Sequence, residues 1–281
     1  MPLLLLPAVA LLVRDRLPAW GFMWALSFAI FAGLKWLTWW RARACARYSA
    51  WRSAAYLLAW PGMDAGSFLA SYPRVPRPRC RDWLLALTKT TLGIVLLWVV
   101  ARRMAPLGTI AQGWTGLLGL IFLLHFGSFQ LLALFWQSVG VAAEPIMSNP
   151  ALSTSLSEFW GKRWNLGFRQ LAHELIFQPL HKQLGVATAG FVVFVVSGML
   201  HDLVISLPAR GGYGLPTAYF VLQGLGTAVE RSAIGRRFGL RQGLRGWLFL
   251  LVVTAGPVYW LFHPPFVEHV ILPFMHAIGS L

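Results

Sequence analysis

Two stretches of this chain hold residue types from which a reaction can be built. Residues 153–179, STSLSEFWGKRWNLGFRQLAHELIFQP, crowd aromatic rings and charges between apolar runs, a mixture that suits neither an ordinary loop nor a membrane-crossing helix. The second stretch, FVVFVVSGMLHDLVIS, sets His201 and Asp202 inside an apolar run long enough to cross a bilayer. Ionisable groups at that depth are costly to desolvate and mark functional sites by default. A neutral imidazole titrates near working pH and can take a proton from a hydroxyl, so His201 is the candidate general base. A lone histidine on an apolar helix also serves as a packing residue, and that reading stands beside the catalytic one. Asp202 follows directly, but neighbouring helical positions point about 100° apart, so its carboxylate is expected to reach another group.

In the first stretch, Ser155 followed three positions on by Glu158 has the form of a capping box and predicts a helix start. Continued at helical spacing, the helix would carry Trp160, Trp164 and Phe168 on one face, with Arg163 and Arg169 on the other. An interfacial amphipathic helix has the same pattern. Asn165 adds a different capability, because an amide offers both a donor and an acceptor and can hold a carbonyl oxygen or orient an imidazole.

The elements that must position these residues are membrane helices. The 281 residues are 57% hydrophobic and 12% charged, against about 25% charged in soluble domains. A net charge of +15 in a soluble protein would suggest nucleic acid. Here the cations sit in short connections between apolar runs, which is a topology signal and excludes a nucleic-acid partner. Placing residues 41–82 on the cytoplasmic side puts seventeen of the 24 Lys and Arg there, so the basic loops are expected to be cytoplasmic. The expected location is a bacterial inner membrane or its equivalent. Cys45 and Cys80 fall in basic stretches and are expected to be free thiols. The opening run has no basic start and no cleavage site, so it reads as a short first membrane segment and not as a removed signal peptide.

In order, the apolar runs cover residues 3–13, 19–40, 54–70, 83–101, 114–136, 186–207, 215–229, 247–262 and 266–281. Lys35 lies near the end of its run and is expected to snorkel to the interface. Pro61, Gly62 and Asp64 break the third run, which predicts a bent or re-entrant piece covered by protein. His125, Ser128 and Gln130 lie at mid-depth and are expected to hydrogen-bond neighbouring helices. The whole reads as an all-α polytopic membrane bundle of seven to nine transmembrane or re-entrant helices, one domain over 1–281 with its core motifs in 149–231. A span begun at residue 186 puts His201 about 22 Å along it, at or past mid-depth.

SLSEFWGKRWN, followed some thirty residues later by FVVSGMLHD, resembles the wax-synthase-domain branch of the membrane-bound O-acyltransferases, whose members include jojoba-type wax synthases and, more distantly, sterol and diacylglycerol acyltransferases. The resemblance implies acyl transfer from acyl-CoA to the hydroxyl of a lipophilic alcohol, with no resident cofactor, no metal and no covalent acyl-enzyme. Carried over by position, it makes His201 the general base and Asn165 the orienting or oxyanion group. Trp160, Arg163, Trp164 and Ser197 become neighbours in the pocket, and Lys162, Arg163 and Arg169 contacts for the CoA phosphates. Asp202 joins the substrate-binding set, although the family commonly has Glu there. Membrane lipids are the remaining partner.

Other acyl-transfer signatures are absent: there is no G-x-S-x-G elbow, no His-His pair and no histidine with aspartate five positions on. A transporter lined by Lys89, His125, His201 and Glu230 is the competing function. Its family of folds needs paired broken helices in related halves. His263, His269 and His276 repeat at seven-residue steps, but Pro264, Pro265 and Pro273 upset the helical phase a metal site would need.

Overall fold

The computed structural model describes residues 2–45, 49–71 and 74–281; the side chain of Cys45, named above, and Arg47 of the same basic stretch lie outside the described residues. Among the described residues the regular structure is entirely helical. Among the described residues five helices are long and apolar enough to cross a membrane, and only 17% to 33% of each one's apolar window is buried, which leaves greasy faces uncovered as lipid permits and water does not. The protein is therefore an all-α, multi-pass membrane protein. Its chain gathers into two compact units, Met1–Ile146 with Glu268–Leu281, and Met147–Val267.

In the first unit, Pro2–Leu12 (α1) packs against Ala19–Cys45 (α2). At 11 residues α1 is about 17 Å long, too short for the ~30 Å hydrocarbon core. The expected break in the third run is present: Ala50–Ala59 (α3) stops at Trp60, residues 60–64 are irregular, and Ala65–Leu69 (α4) starts where Asp64 accepts the Ser67 N–H at 2.9 Å. Irregular backbone in an apolar setting needs partners. Lys35 supplies one, and here the structure corrects the snorkelling expectation: its side chain is 1% exposed, lies 3.3 Å over the Tyr56 ring and donates to the Gly62 carbonyl. Tyr56 donates its hydroxyl to the Met63 carbonyl at 3.0 Å, so the break is satisfied from within.

Cys80–Arg103 (α5) and Thr109–Ser138 (α6) are two long apolar helices, with Cys80 an exposed free thiol. Lys89 on α5 donates to Gln130 on α6 at 3.0 Å, the interhelical role expected of Gln130. Ser128 instead returns its hydroxyl to the Leu123 carbonyl within a π turn, and His125 Nδ1 is buried without a hydrogen-bond partner.

The second unit contains the two chemically suggestive stretches. Leu156–Glu158 (α7) runs into a π turn at Phe159–Arg163, and Leu166–Ala209 (α8) follows as a run of 44 residues. Gly185 interrupts α8 with a φ of 77°, left-handed backbone that favours glycine, so the apolar part restarts at residue 186. Leu215–Arg231 (α9) packs along α8, then Ala233–Phe238 (α10) turns the chain into Gly243–Leu261 (α11). The α8–α9 approach is close at Gly198, where a Cβ would lie 2.7 Å from Thr217 Cα. The Gly of SGMLH is thus a helix-packing residue, and it fixes His201, one turn on, against α9.

Candidate active site

His201 ends the regular part of α8, one turn after Ser197. Its Nδ1 is 2.6 Å from the Ser197 carbonyl oxygen. A carbonyl can only accept, so Nδ1 carries the proton and Nε2 keeps its lone pair, the tautomer a general base needs. The ring packs on Phe220 of α9 with centroids 4.4 Å apart. Ser197 is buried and donates its hydroxyl to Val193 at 2.8 Å, so its role toward His201 runs through its backbone carbonyl.

Asp202 does reach another group, as the 100° offset predicts. One carboxylate oxygen accepts from Ser206 Oγ at 2.8 Å and Gly214 N at 2.8 Å; the other accepts from Thr217 N at 3.0 Å and from Thr217 Oγ1. Ser206 is one turn on in α8; Gly214 and Thr217 belong to the start of α9, where backbone N–H groups have no helical partner and the helix dipole favours an anion. The accounting closes there: Leu215 N donates to the Gly212 carbonyl at 3.1 Å, and Pro216 has no N–H to satisfy. Ser206 extends the network to His263, whose Nδ1 accepts the Phe266 N–H at 3.2 Å and whose Nε2 therefore donates to Ser206 Oγ at 3.2 Å. Asp202 thus accepts four hydrogen bonds from the fold itself.

The tryptophan-rich turn departs from its predicted form. No single helix carries Trp160, Trp164 and Phe168 on one face: α7 passes into the π turn, Trp164 turns extended with ψ of 126°, and Asn165 takes left-handed backbone with φ of 43°. Asn tolerates that conformation better than most side chains, and it starts the next helix by accepting the Phe168 N–H on Oδ1 at 3.3 Å. The rings diverge as a result. Trp164 stacks on Phe159 at 5.3 Å, whereas Trp160 lies 5.6 Å from Phe220 and 6.0 Å from Phe194. Trp160 and His201 therefore share one ring, Phe220, and this is how the two stretches meet. Asn165 and His201 share no hydrogen bond among the described residues.

Ser155 caps α7 by accepting the Glu158 N–H at 3.1 Å, but Glu158 reaches one residue further back than a capping box requires, to Thr154 N at 2.9 Å. That N–H foremost, with the Arg163 guanidinium adding to it, outweighs partial burial and holds the Glu158 carboxyl below the usual carboxylate range. Arg163 is committed to the same clasp. It pairs with Glu158 at 2.7 Å and reaches the Ser148 and Asn149 carbonyls at 3.3 and 3.4 Å. Lys162 is exposed and lines a cavity; Arg169 is exposed on the next helix and does not line it.

Two site residues escaped the motif reading. Glu230, fully buried near the end of α9, accepts the Leu156 N–H at 2.7 Å and the Ser157 N–H at 2.9 Å, pinning the start of α7. Gln223, also fully buried, accepts from Trp160 Nε1 at 3.4 Å and donates to the Val253 carbonyl at 2.8 Å. An acid and an amide inside an apolar run were the available signal. Among the described residues, no group of three His, Cys, Asp or Glu is arranged to hold a metal ion.

A family model described as "Membrane bound O-acyl transferase family" matches residues 143–222, which include Trp160, Asn165, His201 and Asp202. Over 146 residues the chain is 34% identical to the "Long-chain-alcohol O-fatty-acyltransferase" of Simmondsia chinensis, covering 47% of this chain and 41% of that one. It is 30% identical over 204 residues to the "Probable long-chain-alcohol O-fatty-acyltransferase 1" of Arabidopsis thaliana, covering 66% and 57%. The "Acyl-CoA--sterol O-acyltransferase 1" of the same plant is 31% identical over 134 residues, covering 44% and 39%. The matched regions thus span between about two fifths and three fifths of these relatives' lengths.

Proposed function

We propose that the chain, which matches the membrane bound O-acyl transferase family over residues 143–222, moves an acyl group from acyl-CoA to the hydroxyl of a lipophilic alcohol. In this reading His201 Nε2 takes the proton as the alcohol oxygen attacks the thioester carbonyl. Asn165 Nδ2 donates to the oxyanion that forms. The C–S bond then breaks, and the imidazolium returns its proton to the departing CoA thiolate, leaving ester and free thiol. Trp160, packed on the same Phe220 as His201, forms a wall of the reaction chamber. The 281 residues act as one acyltransferase domain, crossing a bacterial inner membrane or its equivalent seven to nine times with the basic loops cytoplasmic, and membrane lipid delivers the alcohol. The sterol-acylating relative supports the acyl-CoA donor, and the relatives together support a long-chain or sterol class of acceptor.

The observation that carries the reading is the 2.6 Å contact of His201 Nδ1 with the Ser197 carbonyl, which assigns the proton to Nδ1 and leaves Nε2 as acceptor on a ring packed against Phe220. The test is ester formation by the purified protein in lipid nanodiscs, with labelled acyl-CoA of several chain lengths and a panel of alcohols. His201→Ala is expected to lower turnover by about 10²- to 10⁴-fold, the range for removing a general base, with unchanged yield and insertion. Full turnover by the variant removes the assignment.

A further inference from the structure

We infer that His263, far along the chain from the proposed base, is a positioning residue for the reaction: it keeps His201 seated against Phe220 without meeting substrate. The inference rests on the acyl-transfer reading above and names a residue that reading does not use. His263 follows α11 and is fully buried, as is Ser206 of α8. A buried imidazole needs partners for both nitrogens, and here every proton can be allocated. Phe266 N–H can only donate, so Nδ1, at 3.2 Å, accepts, and the ring proton sits on Nε2. Nε2 then donates to Ser206 Oγ at 3.2 Å, and the Ser206 hydroxyl donates to Asp202 Oδ1 at 2.8 Å. In a serine-hydrolase triad the hydroxyl gives its proton to the imidazole; here the imidazole donates to the hydroxyl and the hydroxyl to a carboxylate. Ser206 is therefore a link and not an activated nucleophile.

The same ring shapes the loop that joins α8 to α9. Arg210, Gly212 and Gly214 have φ of 53°, 71° and 83°, left-handed backbone that Arg210, unlike glycine, adopts at a cost, so its surroundings must hold it there. Gly212 lies against the His263 imidazole, where a Cβ would run into Cγ, Cδ2 and Nε2, and a Cβ on Gly211 would fall 3.0 Å from Pro265 Cβ. Ser206 Oγ is also 3.3 Å from the Gly212 carbonyl oxygen. The loop is thus moulded on the His263–Pro265 corner, and it delivers the Gly214 N–H to Asp202 at 2.8 Å. Asp202 takes the Thr217 N–H at 3.0 Å as well, which seats the start of α9, and one turn on α9 presents Phe220 to His201 with ring centroids 4.4 Å apart. His263 reaches the base by two routes: a hydrogen-bond chain to the neighbouring carboxylate, and a packing contact on the loop that seats its aromatic support. Placement of this kind governs rate, because a displacement of about 1 Å at a reacting group can cost about 10²-fold.

The two ring nitrogens can be tested apart. Asn puts an amide oxygen where Nδ1 accepts and keeps the Phe266 cap, but does not reach Ser206; Gln extends an N–H to the level of Nε2 and restores that donor without the cap. Turnover, KM and thermal unfolding are measured on the full chain in lipid nanodiscs, with labelled acyl-CoA and a long-chain alcohol, at a temperature where every variant is folded. His263→Asn and Ser206→Ala are each expected to lower kcat by about 10- to 100-fold with KM for acyl-CoA unchanged, and the double variant to be no worse than the worse single one, because both cut one chain. His263→Gln should keep more of kcat than His263→Asn while unfolding at a lower temperature. Wild-type kcat in His263→Asn and Ser206→Ala overturns the inference, and so does turnover that simply follows unfolding temperature across the variants, as a purely structural ring would give. Should His263→Asn fail to fold, Ser206→Ala decides the matter by the same split of kcat from KM. A readout independent of catalysis is the rate at which diethyl pyrocarbonate modifies His201, followed by mass spectrometry of its peptide; it should rise in His263→Asn and Ser206→Ala as the ring loosens from Phe220. A raised rate with no ester formed from any alcohol leaves His263 a positioning residue and removes the acyltransferase reading. Ester formation with unchanged kcat and an unchanged modification rate in the variants does the reverse.

Discussion

Replacing Asp202 by Asn removes one acceptor oxygen from a junction in which four donors converge. Ser206 and Thr217 hydroxyls can rotate away, but the Gly214 and Thr217 N–H groups are fixed by the backbone on opposite oxygens, at 2.8 and 3.0 Å. Whichever way the amide is flipped, one of those N–H groups then faces an NH2. The Gly214 N–H is exposed and the Thr217 N–H half-buried, so the orphaned donor costs less than the full burial penalty, about 1–2 kcal/mol; with the charge lost from the surviving bonds, Asp202→Asn should destabilise the α8–α9 junction by roughly 1–3 kcal/mol. For a unit of this size that corresponds to a fall in apparent Tm of order 5–15 °C. Asp202→Glu keeps the charge but adds a methylene to a carboxylate already in place, and should lose part of that stability. The assay is thermal unfolding in lipid nanodiscs beside turnover at a temperature where every variant is folded. The expected result is a lowered Tm with turnover reduced through a misplaced His201. An unchanged Tm with abolished turnover would show that the carboxylate acts on substrate, and the structural account of Asp202 would be wrong.

Two further perturbations address the turn that carries Trp160. Glu230→Gln leaves at least one of the Leu156 and Ser157 N–H groups without its charged acceptor, at a cost of about 1–3 kcal/mol. It should lower kcat by tenfold or more with a smaller change in KM, because the turn is displaced and no ligand contact is removed; wild-type kinetics with unshifted tryptophan fluorescence would refute it. Glu158 gives a pH dependence. Its carboxyl is held below the usual range, chiefly by the Thr154 N–H and also by Arg163, so the unfolded chain binds the proton first. The stabilisation is complete above the ordinary carboxylate range and is lost as pH falls through it to the folded-state value. The Tm difference between wild type and Glu158→Gln should therefore shrink on acidification; a difference that is flat with pH counts against the clasp.

The apolar runs foretold the long helices because a bilayer demands about twenty apolar residues whatever their neighbours are, and that demand is written locally. Partners are not local. Asp202 was expected to reach elsewhere on helical geometry alone, but which groups it meets depends on Gly198 bringing Thr217 against α8, a contact between residues nineteen apart. Lys35 looked like a snorkelling residue because charge near a helix end usually escapes to water; it turns inward because the break at residues 60–64 leaves the Gly62 carbonyl in need of a donor. In the tryptophan-rich turn, helical spacing put Trp160 and Trp164 together, and the π turn at Phe159–Arg163 with the extended backbone of Trp164 separates them. That separation is what makes the turn useful. A continuous helix would have presented both indoles to the same neighbour. The broken one sends Trp160 to the ring that holds His201, leaves Lys162 exposed to the cavity it lines, and uses Glu230 and Arg231, adjacent on one helix, to fix the turn between them.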